Sequence, residues 1–250
     1  DLEAKDHCCI LYSSGTTGRP KGVVHTHKNI AVALLELQIC WRFSPQDVLL
    51  NVLPLYHLHG LSFGAHLSFI SGSIMMLEDT ILYAMDKIKY ATVFMAVPTI
   101  YYAFLRRKQE FIEKAKEWNN VRLFTCGSAP IRPDVLPELE GIIHNHIINR
   151  YGMTESHVIT SLPLKGPFTQ GSVGVPLDGV EMKVVAEDGI VVSAGSRGED
   201  GQPLVGEVRI RGENLFSHYW KKEEATKKAF DKDGFFSTGD LGYLDQNGFL

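Results

Sequence analysis

Ten consecutive residues, Ser13-Ser14-Gly15-Thr16-Thr17-Gly18-Arg19-Pro20-Lys21-Gly22, collect four hydroxyls, three glycines and a lysine directly after a β-rich run. Glycines let a backbone turn its N–H groups inward, hydroxyls add donors, and an ammonium adds positive charge, a combination that holds a polyphosphate. The spacing fails the Walker A pattern, since Pro20 precedes the lysine and Gly22 follows it. A plain Gly-Ser-Thr surface turn is the competing reading. Farther on, Thr154-Glu155 joins a hydroxyl to a carboxylate, a donor set for a hard cation such as Mg²⁺ or the opening of a helix. Tyr151 is either a stacking plane for a flat ring or a core tyrosine. His57 and His59 alternate as two ligands on one side of a strand would, but no further ligand cluster accompanies them.

The loop resembles the signature of the adenylate-forming superfamily, which includes acyl-CoA and aryl-CoA synthetases, firefly luciferase and peptide-synthetase adenylation domains. Four further motifs follow in that family's order: Pro54-Leu55-Tyr56-His57-Leu58-His59-Gly60, Gly127-Ser128-Ala129-Pro130, Tyr151-Gly152-Met153-Thr154-Glu155 and Ser237-Thr238-Gly239-Asp240. The resemblance implies that a carboxylic acid is activated by ATP as an acyl-adenylate and passed to CoA. It assigns Ser13, Ser14, Gly15, Thr16, Thr17, Gly18 and Lys21 to the β- and γ-phosphates, and Gly127, Ser128 and Ala129 to one wall of an adenine slot. Tyr151 and Gly152 stand at the other wall, and Asp240 at the ribose hydroxyls. Thr154 meets the α-phosphate and Glu155 holds Mg²⁺, so Thr17, Lys21, Thr154 and Glu155 form the implied catalytic set. His57, Cys126, Arg150 and Met153 fall at the implied acyl pocket, with Cys126 read as a small buried hydrophobe.

Arg150 bears on the acid. A guanidinium in the pocket wall blocks a long apolar tail and is costly to bury without an anion, for which a second substrate carboxylate is the natural bidentate partner. The run Phe94-Met95-Ala96-Val97-Pro98-Thr99-Ile100-Tyr101, the two histidines and Arg150 look like the malonyl-CoA and methylmalonyl-CoA synthetase branch. The alternatives are an Arg150 paired with a protein carboxylate, a fatty-acyl or 4-coumarate-like acid, and, in another class, a non-catalytic nucleotide-binding fragment. Tyr56-His57 stands where a peptide-synthetase domain carries an acidic residue for an amino group. The family's small C-terminal domain and its lysine would lie past Leu250, so this stretch alone is expected to bind nucleotide weakly and to catalyse nothing at a useful rate.

These residues need a scaffold, and the chain has one. Residues 8–12, 73–77 and 121–126 read as strands and 29–41 and 98–107 as helices, the former helix capped by Thr26. This is βαβ logic, with a parallel sheet covered by helices. Residues 111–120 read as a charged, solvated helix face. After residue 163, turns separate short alternating runs at 180–185 and 206–211, predicting antiparallel strands, and 194–203 read as an exposed loop. The predicted fold is therefore α/β: a parallel-sheet and helix layered part over 1–163, then a distorted antiparallel β-barrel subdomain over 164–250.

The 250 residues, 44% of them hydrophobic, suffice for a real core, and 25 basic against 29 acidic side chains give a net charge of −4. That charge offers no field for nucleic acid. Residues 48–77 contain no Asp, Glu, Lys or Arg, yet the interrupting Asn51, Pro54, three histidines and four serines fit a buried helix and strand better than a membrane span. Cys8, Cys9, Cys40 and Cys126 form no CxxC pair, which suits a reducing compartment. No targeting signal is visible, giving an expectation of a cytoplasmic protein, although both ends read as cut and an organellar address ahead of Asp1 stays open.

Overall fold

A computed structural model describes residues 1–13, 20–166, 168–169 and 171–250. Residues 14–19, which carry most of the expected phosphate loop, lie outside the described residues. In chain order the strands are β1 (His7–Ser13), β2 (Lys21–Thr26), β3 (Val48–Asn51), β4 (Ile74–Leu77), β5 (Val93–Ala96), β6 (Leu123–Cys126) and β7 (Ile147–Met153). They continue as β8 (His157–Ser161), β9 (Val175–Pro176), β10 (Glu181–Val185), β11 (Val191–Val192), β12 (Gly206–Arg211), β13 (His218–Tyr219) and β14 (Phe236–Gly242). The helices are α1 (His27–Trp41), α2 (Leu67–Ser71), α3 (Ile81–Lys87), α4 (Pro98–Arg106), α5 (Lys108–Ala115), α6 (Leu136–Ile143) and α7 (Glu223–Ala229).

The layered part is a seven-stranded sheet in the order β4-β3-β5-β6-β7-β8-β9. Its ladders from β4 through β7 are parallel, and β8 and β9 add antiparallel strands at one side. Every residue of β5 and β6 is buried, as strands covered on both faces require. Alternation divides their side chains between two cores: Val93, Met95 and Leu123 join Trp41 and Phe63, whereas Phe94, Ala96, Phe124 and Cys126 join Tyr101, Phe104, Phe111 and Trp118.

Local chemistry explains the helices. Thr26 accepts from the Asn29 N–H while the Asn29 side chain accepts from the Thr26 N–H, a reciprocal box that starts α1 at His27, two residues ahead of the predicted start. Its inward stripe is Ile30, Ala33, Leu34, Leu37 and Trp41. Pro98, which has no N–H to leave unpaired, opens α4. The region read as a solvated helix is α5 and the turn after it, and it is anchored through buried Phe111, Ala115 and Trp118. The uncharged stretch becomes β3, a π-helix at His59–His66, α2 and β4. Among the described residues no helix is long and apolar enough to cross a membrane.

One expectation fails. The strand ahead of the phosphate loop does not feed a helix within the parallel sheet; β1 pairs antiparallel with β2, Ser13 opposite Lys21, in a separate sheet ordered β1-β2-β13. The loop is thus a hairpin connection, and α1 follows only after β2. The competing force is pairing: Lys21–Thr26 is too short for periodicity to betray, and it forms a strand because β1 and β13 flank it. The antiparallel part expected after residue 163 is present as the sheet β11-β10-β12-β14.

Candidate active site

A cavity of about 740 Å³ opens where β7 and its turn into β8 meet the start of the π-helix, β2, β13 and β14. Five of its lining residues, Arg150, Gly152, Met153, Thr154 and Glu155, come from the carboxyl end of β7 and the turn after it, where open parallel sheets place ligands. Gly152 is required here: a Cβ would come 2.1 Å from the His157 carbonyl oxygen across the β7–β8 turn.

One end of the cavity is built around a cation. Arg150 is 3% exposed, its guanidinium 4.7 Å from the centre of the Phe63 ring, and among the described residues it has no carboxylate partner. Burial pushes its pKa down to about 10. Its remaining polar contact is long, 3.5 Å from a terminal nitrogen to Ser128 Oγ, and its Nε is buried without a hydrogen bond. Ser128, held at φ 67°, also lies 3.1 Å from His59 Nδ1. A guanidinium only donates, so Ser128 Oγ accepts from Arg150 and can donate to His59 Nδ1, leaving the proton of the neutral ring on Nε2. That Nε2 is buried and unpartnered too. His59 is held neutral, its pKa well below the usual range, first by burial and then by the Arg150 charge.

His59, which lines this end of the cavity, was not singled out for it by the sequence. The HxH spacing signalled it, but His57 received the role, and in the structure the two do not share a strand face. They sit on the turn into the π-helix, His57 exposed at the rim with its Nδ1 accepting from the Leu58 N–H, His59 only 3% exposed. Met153 lines the cavity. Cys126 is fully buried at the end of β6, its thiol pushed up to about 12 by burial, which leaves it an uncharged small group behind Arg150.

At the other end, Ser13 and Lys21 line the cavity from either side of the hairpin connection, with Lys21 Nζ 4.6 Å from the Tyr219 ring centre. Ser14, Gly15, Thr16, Thr17 and Gly18 lie outside the described residues. Thr154 and Glu155 line the cavity; Glu155 is 5% exposed and its Oε1 accepts a 2.9 Å hydrogen bond from Tyr219. Of the Gly127-Ser128-Ala129 trio, Ser128 faces the cavity, Gly127 packs beneath the Arg150 guanidinium and Ala129 is exposed. Tyr151 donates to Asp240 Oδ2 at 2.5 Å, and burial with that carboxylate pushes its phenol pKa up. Among the described residues no three His, Cys, Asp or Glu side chains converge as a metal-ligand group.

The family model for AMP-binding enzymes matches residues 1–220. The chain belongs to the AMP-binding enzyme family. This AMP-binding enzyme is 37% identical to the mitochondrial malonate–CoA ligase of Bos taurus, over 92% of the chain and 44% of that protein. It superposes on ATP-bound MatB from Rhodopseudomonas palustris with a TM-score of 0.90 and 37% identity, covering 100% of the chain and 48% of MatB. A malonyl-CoA ligase with methylmalonyl-CoA and AMP bound matches with a TM-score of 0.87 and 34% identity over 99% of the chain and 52% of that ligase. The chain therefore spans about half the length of the proteins it resembles.

Proposed function

We propose that this AMP-binding enzyme is an ATP-dependent acid–CoA ligase whose acid is a small dicarboxylate, malonate or methylmalonate. The observation that carries the reading is Arg150, a buried guanidinium facing the cavity without a carboxylate partner among the described residues. Leaving a buried charge unpaired costs several kcal/mol, on the order of 3–5. A substrate carboxylate offsets that cost and fits the planar fork of the guanidinium, while the unpartnered Nε2–H of His59, which also lines the cavity, offers a further donor. An apolar tail would leave the guanidinium and the imidazole unsatisfied. The relatives named as malonate–CoA ligases support this reading.

The second carboxylate of the bound acid is then free to react. Its oxygen attacks the α-phosphorus of ATP, the bond to the bridging oxygen breaks, and pyrophosphate leaves; the CoA sulfur, giving up its proton, attacks the acyl carbon and AMP leaves. Lys21, with Ser13 and the loop residues 14–18 including Thr17, screens the departing phosphates, and the Thr154 hydroxyl donates to the α-phosphate. Asp240, at the cavity rim, accepts from the ribose hydroxyls, and Tyr151, tied to it, borders the base together with Ser128 and Ala129, while Gly127 lies beneath the Arg150 guanidinium. Glu155 fits Mg²⁺: it is a hard oxygen donor, buried, facing the cavity and oriented by Tyr219, and Mg²⁺ is commonly held by one or two carboxylates plus substrate phosphates. Bound there, the ion would neutralise charge building on the phosphates. The parts expected over 1–163 and 164–250 both contribute, the first Arg150, Lys21 and Thr154, the second Tyr219 and Asp240.

The test is AMP release by the whole protein with ATP, Mg²⁺ and CoA, comparing malonate, methylmalonate, acetate, a medium-chain fatty acid and a cinnamate-type acid. Malonate-selective turnover, lost in Arg150→Ala, is the expected result. Full malonate activity in Arg150→Ala, or a preference for the apolar acids, would overturn the assignment of the acid.

A further inference from the structure

Two side chains that touch no reacting atom in the chemistry above grip the Thr154–Glu155 turn, and both come from one ribbon. β2 begins at Lys21, and four residues on His25 is fully buried with its Nε2 2.8 Å from the Thr154 carbonyl oxygen. A carbonyl only accepts, so this nitrogen carries the proton. β13 lies beside β2 with Tyr219 opposite Val23 and His218 opposite Val24, and the backbone bonds Ser217 N–H to Val24 and Trp220 N–H to Gly22 extend the pairing at both ends. Through this pairing Tyr219 brings its hydroxyl to the Glu155 carboxylate at 2.9 Å and its ring under Lys21 Nζ. On the far side His157, at φ 60°, packs edge-on against His25 with ring centroids 4.6 Å apart. One short ribbon thereby touches Lys21, Thr154 and Glu155 together.

We propose that His25 and Tyr219 are positioning residues that hold Thr154 and Glu155 in register with Lys21, so that the α-phosphate and its divalent cation meet groups already in place. The proposal rests on the adenylating reading of the site. Neither side chain needs to touch a reacting atom: the His25 bond sets where the Thr154 backbone turns, and the Tyr219 bond selects one rotamer of Glu155. Preset geometry of this kind spares the site an ordering cost at the moment of binding.

The test uses the whole protein with Tyr219→Phe, His25→Leu and His25→Gln. Calorimetric ATP affinity is measured with and without Mg²⁺, alongside kcat and the KM values for ATP and for malonate. Tyr219→Phe keeps the ring under Lys21 and deletes the hydroxyl, so the gain in ATP affinity on adding Mg²⁺ should fall about tenfold, the worth of a hydrogen bond to a charged group, with KM for malonate unchanged. His25→Leu should lower kcat about tenfold, and His25→Gln, whose amide donates to the same carbonyl, should recover most of it. Variants that melt earlier but keep these constants would assign the two residues to packing and overturn the proposal. Should His25→Leu fail to fold, Tyr219→Phe decides alone. Wild-type protein that binds no ATP would instead overturn the adenylating reading, an outcome distinct from wild-type binding that neither substitution alters.

Discussion

Gly127 lies directly beneath the guanidinium of Arg150: a Cβ at position 127 would fall 2.7 Å from Arg150 Cζ and Nε. The end of β6 thus sets where the cation of β7 rests. Gly127→Ala should displace the guanidinium and raise KM for malonate about tenfold, roughly the worth of one charged hydrogen bond, with a much smaller change in KM for ATP. Steady-state kinetics with each substrate varied in turn checks this. An equal rise for ATP would put position 127 against the nucleotide.

Arg150 itself presents a conflict between stability and function. Replacing an unpaired buried cation with an apolar side chain of similar length removes a desolvation cost, so Arg150→Met should stabilise the free protein by about 1–4 kcal/mol. The same change should cut malonate-dependent AMP release by about a hundredfold. Denaturant unfolding and the AMP assay, run on the same preparation, test both halves. A destabilised Arg150→Met would show that the Phe63 contact outweighs the cost of burial.

The buried imidazoles give stability an acid limit. Burial lowers the His25 pKa from 6.5 to about 4, with the Thr154 hydrogen bond opposing it, so between those values the unfolded chain binds a proton that the folded chain refuses. The His25 contribution is therefore whole above pH 6.5 and is lost as pH falls toward 4, roughly 3 kcal/mol over the full window. His59 is displaced in the same direction. Urea unfolding at pH 7.5 and 5 should show the loss, and His25→Leu, although weaker at pH 7.5, should lose less between the two.

Glu36 acts in the opposite sense. Half-buried on α1, with Oε2 lacking a partner and with Asp178 and Glu213 close by, its carboxyl is pushed up to about 7, chiefly by burial. Stability from its neutral form is complete below pH 4.5 and lost as pH rises through 7. Glu36→Gln should accordingly stabilise the chain by about 1–2 kcal/mol at pH 8 and by nothing measurable below pH 5. Paired unfolding curves at the two pH values decide it.

Much of this protein follows from its sequence alone. The Thr26 cap and the stripe from Ile30 to Trp41 specify α1, and the apolar run at 121–126 specifies the buried strand β6, because caps and periodicity act within a few residues. The order of the motifs likewise marked Lys21, Thr154, Glu155, Arg150 and Asp240, all of which line one cavity. Tertiary structure decided what depends on distant neighbours. That the strand before the expected phosphate loop pairs with the strand after it rests on β2 being flanked by β1 and β13, the latter nearly two hundred residues away. That His59 rather than His57 is buried beside Arg150 depends on a π-helix that brings Phe63 over the guanidinium and His59 to Ser128, which no spacing of two histidines encodes. Whether Arg150 meets a carboxylate is a property of its whole surroundings, since an ion pair requires two chain segments to converge and only the folded chain determines which do.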